Sequence, residues 1–203
     1  MRFTVRDLVY IGVFGALWGA AEMTLGSLLH VLNVPFSGAV LAGIGITIAL
    51  IGRLFVPRTG SVLFIGLVTA LLKMLSLGGI VLNPMIGIVA ESLLAEVVLT
   101  LWGRPRRASF VVAGGLAVFW PFVHPFFTQG ILAGQGILTV YGWTLEKGAN
   151  LLGLDPSALL LVLGGLVGVH WLIGIIAGLL AWDAGRIVQL RLRPTPSRYQ
   201  EAR

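Results

Sequence analysis

The chain has no cysteine in 203 residues, which excludes disulfides, thiolate metal sites and cysteine nucleophiles. Charge is scarce: 11% of residues are charged, where a soluble domain carries about a quarter. Acidic residues are fewest, 8 against 14 lysines and arginines, for a net charge of +6. No glycine-rich phosphate loop ending in Lys-Ser/Thr is present, so the chain cannot itself be an ATPase. There is no His-Glu-x-x-His, no Gly-x-Ser-x-Gly and no paired metal-ligand spacing, so no catalytic residue, metal or cofactor is expected. The basic excess does not gather on one soluble face. It sits between apolar runs, where it reads as a topology determinant rather than a nucleic-acid site.

What is there is apolar: 57% of residues are hydrophobic and the mean hydropathy is +0.98. This composition predicts a single integral membrane domain over 1–203, all-α, with six transmembrane helices in one bundle. The spans are expected at about 8–32, 39–55, 61–77, 84–102, 108–127 and 157–182, each near the roughly 20 residues a bilayer requires. Breaks fall at Val34-Pro35-Phe36-Ser37-Gly38, Pro57 to Gly60, Gly78-Gly79 and Gly103 to Arg107. Pro121 and Pro125 should bend or end the fifth span. Residues 128–157 are interrupted by Gly130, Gly134, Gly136 and Gly142. They read as a long extracellular loop with a short helix at about 139–152, then Asp155 as the cap of the last span. Pro194 and Pro196 argue against helix in a basic tail, 186–203. The first apolar run is too long, and lacks a cleavage pattern, for a signal peptide.

Orientation follows from the arginines. Arg2 and Arg6, Arg53 and Arg58, Arg104 to Arg107, and the tail from Arg186 all fall on one side of a six-span plan. The positive-inside rule then makes both termini cytoplasmic, in a cell membrane.

The residues 8–32 look like the organising span. Gly12, Ala16 and Ala20 form a small-residue stripe, with Gly15 and Gly19 beside it, so another helix backbone can approach closely. Glu22 lies about 20 Å from the cytoplasmic end at 1.5 Å per residue. A carboxylate at that depth should face protein or a cavity. The other ionisable groups within spans are Lys73, Glu91, Glu96, His124 and His170, with His30 near an outer end. All but Glu96 share the outer half, at the level of Trp120, Phe122, Phe126 and Phe127, with Trp171 near mid-depth. Convergence under a long loop suggests a small-molecule pocket open to the exterior, built from Glu22, Lys73, Glu91, Trp120, His124, His170 and Trp171. Each has a plainer reading. Glu22 and Lys73 can be a register-fixing ion pair. Glu91 and Glu96, five apart, do not share a face, so one can line a site while the other packs. His30 and His124 can be wet or carbonyl-bonded, and His170 can bond helix to helix. The aromatic run can be an interfacial belt.

The six-span plan, the small size and the Ala16-x-x-x-Ala20 stripe, extended a turn by Gly12, resemble the substrate-binding S component of an energy-coupling factor (ECF) vitamin transporter. The segment from Pro57 to Leu99 is similar to the S components for the thiamine precursor hydroxymethylpyrimidine. The shared features are a Pro57-x-x-Gly60-Ser61 turn, the run Ala70-Leu71-Leu72, and Gly87-Ile88-Val89 followed by Ala95-Glu96. The resemblance implies capture of a vitamin or precursor, a transmembrane coupling protein docked on Gly12, Ala16 and Ala20, and two cytoplasmic ATPase subunits. Lys73 departs from it, since a thiamine-like ligand calls for a neutral or acidic group there. From the residues alone, an ion-coupled carrier or an intramembrane metal-dependent enzyme using Glu22, Glu91 and His170 is the alternative, and a scaffold whose polar groups only specify packing is a third.

Overall fold

A computed structural model describes residues 2–32, 34–75 and 82–192. Among these the chain is helical, without strands. The helices are α1 (Val5–Val31), α2 (Ser37–Phe55), α3 (Ser61–Lys73), α4 (Leu82–Trp102), α5 (Arg107–Pro125), a π-helical segment (Phe126–Leu132), α6 (Ile137–Leu152) and α7 (Leu159–Arg191). Five are long and apolar enough to cross a membrane: α1, α2, α4, α5 with its continuation, and α7. The apolar α3 is shorter. This is the make-up of a multi-pass membrane protein. The Gly78-Gly79 break, Pro194 and Pro196 lie outside the described residues, as does the side chain of His30.

The centre of the bundle is α2, not the first helix. It packs on α1, α3, α4, α5 and α7, and Ala39, Ala42, Gly43, Gly45, Ile46, Ala49 and Leu50 are buried along it. Small residues let five neighbours approach one rod. By contrast α1 lies at the margin, against α2 and α3. Its two small-residue rows have different fates. A Cβ on Gly15 would stand 2.6 Å from Val68 Cγ1, and one on Gly19 3.2 Å from Leu72, so that row is taken up by α3. Gly12 has nothing within 4 Å, and Ala16 and Ala20 are exposed.

The closest helix pair is α5 with α7. A Cβ on Gly114 would stand 2.3 Å from the Gly174 carbonyl oxygen, and one on Gly178 2.3 Å from that of Phe110. Only glycine allows backbones this close.

Two local expectations give way and one holds in part. Pro121 lies inside α5 without ending it, whereas α5 stops at Pro125 and the chain widens into the π segment directly after it. Packing on α2, α4 and α7 holds the helix across the lost N–H groups, and the wider turn takes up the misfit. Asp155 does not cap the last helix. Its Oδ1 accepts from Ser157 N–H at 2.8 Å in a local turn, and α7 begins only at Leu159, after Ala158. Finally α7 runs to Arg191, nine residues past the expected end at 182, so Arg186 and Arg191 are helical.

One end of the bundle gathers the arginines. Arg58 pairs with Asp7 at 2.9 Å and reaches the Arg2 carbonyl, Arg107 pairs with Asp183 at 2.8 Å, and Gln189 reaches the Leu54 carbonyl. These contacts tie the start of α1, the α2–α3 turn, the start of α5 and the end of α7 together. Arg53 is different. The sequence places it with the surface turn, yet it is 3% exposed in the last turn of α2.

Candidate ligand-binding groups around the C-terminal half of α5

The seven residues singled out from the sequence divide among three places. Five come together: Glu22 from α1, Lys73 from α3, Glu91 from α4, and Trp120 and His124 from α5. Lys73 Nζ stands 3.5 Å from Glu22 Oε2 and donates to the Glu22 backbone carbonyl at 3.2 Å. Glu22 is close enough for its charge to act on Glu91. A Cβ on Gly87 would stand 3.8 Å from both Glu91 Oε1 and His124 Cε1, so the bare glycine brings acid and imidazole over one spot. Trp120 and His124, one turn apart, stack with centroids 5.7 Å apart and planes inclined 26°, and Phe127 lies 6.0 Å from Trp120.

The Glu22–Lys73 contact realises the plainer ion-pair reading of those two residues, and it uses up the lysine charge. The remaining three groups are less satisfied. Trp120 Nε1 and His124 Nε2 are buried with no hydrogen-bond partner among the described residues. The Glu91 side chain is buried as well, and no described residue donates to its carboxylate. Buried polar atoms are nearly always paired, so two ring nitrogens and a carboxylate on facing helices mark a place where a polar molecule can complete the set. Trp18, which the sequence reading passed over, lies one turn before Glu22. Its indole presses on Gly45, where a Cβ would stand 1.9 Å from Nε1, and that nitrogen too lacks a partner. The spacing of four from Glu22 was the available signal.

His170 lies elsewhere. It lines a cavity of about 520 Å³ with Pro121, Phe122 and Pro125 of α5, the 34–39 turn, and Thr144, Lys147, Gly148 and Leu151 of α6. The expected loop over 128–157 is thus mostly helical, and α6 forms one wall of this cavity. The expected hydrogen bond from His170 to another helix is absent among the described residues. Its Nδ1 meets the Leu166 carbonyl, one turn back on α7, at 2.7 Å. Trp171 joins neither place. It is wedged on Gly115 at the α5–α7 contact, where a Cβ would stand 2.5 Å from its ring. Consecutive helical residues point about 100° apart, and here that offset sends His170 to the cavity and Trp171 to the α5–α7 contact.

Glu96 takes the packing role that its offset from Glu91 suggested. Its Oε1 accepts from Arg53 at 3.1 Å, Gly60 N–H at 2.8 Å and Thr100 Oγ at 2.9 Å, and its Oε2 from Val62 N–H at 2.9 Å. It therefore caps the start of α3 from a neighbouring helix. Arg53 also donates to Ser61 Oγ and to the Arg58 carbonyl.

Among the described residues no three His, Asp or Glu side chains are placed to hold a metal ion. No family model, curated protein or solved structure matches the chain.

Proposed function

We propose that the chain is the membrane-embedded substrate-binding subunit of an ATP-driven uptake system, of the ECF S-component kind. The observation that carries this reading is the division of α1. The Gly15–Gly19 row is consumed by α3, while Gly12, Ala16 and Ala20 form a second row that no described residue covers. A bare small-residue row is poor at holding lipid and good at admitting a helix backbone. The partner it suits is a transmembrane coupling protein that carries two cytoplasmic ATPases.

In this reading α3 is a sixth, shorter crossing, and the arginine end is cytoplasmic, with both termini, in the cell membrane. The opposite end faces out. Glu91, Trp120 and His124 hold a small heteroaromatic vitamin or precursor, thiamine-related as the first candidate, by stacking and a few hydrogen bonds. The Glu22–Lys73 pair supports them from below. The helical 126–152 region closes the outer mouth.

Ala16→Trp tests the docking face. The variant is expected to lose co-purification with the coupling protein and ATPases, and with it uptake, while keeping bound ligand in native mass spectrometry. Normal assembly and uptake by Ala16→Trp would overturn the reading. The unpartnered Glu91 also suits a proton-coupled carrier; uptake into liposomes by this chain alone would favour that instead.

A further inference from the structure

The cavity that holds His170 lies across α5 from the Trp120–His124 group. His124 meets α4 at Gly87 and stacks on Trp120, whereas Phe122 lines the cavity. We propose that this cavity is a separate binding site for a small aromatic carboxylate, and the proposal holds whether or not α1 docks a coupling protein.

The volume, about 520 Å³, is within the range of small-molecule sites, roughly 300–1,000 Å³. Its aromatic wall is built: Phe36 meets the His170 ring edge-on at 6.0 Å, and Phe122 meets it at 5.8 Å. Its charge is one-sided. Lys147 lines it, and among the described residues no carboxylate does. The start of α2 opens onto it through Gly38 and Ala39. Ser37 N–H bonds to the Val34 carbonyl and Val40 N–H to that of Phe36, but no described group accepts from the N–H of Gly38 or Ala39. Phe36, before the helix, offers no side-chain cap. Two free N–H groups at the positive end of a 19-residue helix attract an anion.

The independent sign of a ligand is His170. It is 7% exposed. A carbonyl only accepts, so the contact with Leu166 fixes the proton on Nδ1. In the neutral ring Nε2 is then an acceptor, and it has no partner among the described residues. The occupant therefore carries a negative group for Lys147 and the α2 N–H pair, a flat ring for Phe36 and Phe122, and a ring N–H or O–H for His170.

Three probes of one shape test this with the purified full chain in nanodiscs, by isothermal titration calorimetry. Indole-3-acetate is expected to bind, with indole-3-acetamide weaker and tryptamine weakest. Lys147→Glu, at an exposed position, is expected to weaken indole-3-acetate by about tenfold, as reversal of one ion pair permits, and to leave the melting temperature unchanged. N-methylation of the indole is expected to weaken binding without any change to the protein, which reads the His170 acceptor directly. Equal binding of acetate and amine probes, or an unchanged affinity in Lys147→Glu, would overturn the proposal. So would an anionic phospholipid that indole-3-acetate fails to displace in native mass spectrometry. Ala16→Trp leaves all of these readouts untouched, so failure here and failure of the docking reading are separable.

Discussion

Glu91 and Glu96 stand five residues apart on α4, and both are about equally buried, at 6% and 5% exposure. Glu96 meets a guanidinium, two backbone N–H groups and a hydroxyl. Glu91 meets no donor among the described residues. A buried carboxylate without partners is costly, and the fold supplies everything needed to satisfy one of this pair and leaves the other open. The difference separates an acid that builds the protein from an acid that waits for something. It also assigns the ends: the satisfied acid belongs to the arginine end, and the open one faces His124.

The largest way to break the comparison is to remove the satisfied member. Glu96→Ala leaves Arg53 charged and buried and uncaps α3, and is expected to cost about 3–5 kcal/mol, the range for breaking a buried pair. Thermal melting in detergent reads it. The double variant Arg53→Met/Glu96→Met is expected to recover much of that loss, because no unpaired charge remains. A loss under about 1 kcal/mol for Glu96→Ala would mean that water serves this site as it serves a surface. Next in size is Lys73→Met. The Glu22–Lys73 pair is longer, at 3.5 Å, and the lysine side chain keeps 14% of its exposure. The expected cost is about 2 kcal/mol, as for a hydrogen bond to a charged group. A cost as large as that of Glu96→Ala would show that Glu22 has no other recourse and belongs with the structural acids.

The sequence carried the helices and missed how they meet. Apolar runs bounded by Gly, Pro and Arg lie within a few residues of the helices at most ends, because backbone satisfaction in an apolar medium leaves helix as the only local answer. Small residues announced close packing but not its address. Gly114, Gly174 and Gly178 form the tightest contact, while the row that drew attention, Gly12-Ala16-Ala20, is the one left bare; which faces meet is a tertiary property. Depth along a helix is readable at 1.5 Å per residue, and Glu22 with Lys73, and Glu91 with His124 and Trp120, stand near one another in the structure. Azimuth is not readable, because it depends on how each helix is rotated, and His170 and Trp171 were grouped with residues they never face. Arg53 was read as a surface charge since nothing local signals that Glu96, 43 positions away, will bury it.

Glu91→Gln sharpens the contrast from the open side. It keeps the shape, removes the charge and disturbs no described hydrogen bond, so no loss of stability is expected, and relief of an unpartnered buried charge is expected to raise the melting temperature. What should change is occupancy: in native mass spectrometry the co-purified small molecule is expected to be lost from the Glu91→Gln chain and retained by Lys147→Glu. Destabilisation matching Glu96→Ala would sink the distinction between the two acids, since Glu91 would then hold structure as well.

The smallest effect belongs to an acid outside the spans, and it shows what the bilayer adds. Asp155 is fully exposed, and hydrogen bonds from the Ser157 side chain and backbone hold its carboxyl below the ordinary value of 3.8. A folded-state pKa below the unfolded one contributes stability that is present above pH 3.8 and fades as pH falls through the lower, folded value. Hydrogen exchange at Ser157 N–H is therefore expected to be slow and flat above that range and to quicken only in stronger acid, once intrinsic exchange is corrected for. Asp155→Asn keeps an acceptor for the same N–H and is expected to leave the melting temperature unchanged. Asp155 has two partners and needs neither, because water replaces both; Glu96 has four and no replacement for any. The importance of a partner to a carboxylate is thus set by the medium around it, and by that measure an unpartnered Glu91 in the interior is the costliest acid among the described residues, which is the physical reason to look for its ligand.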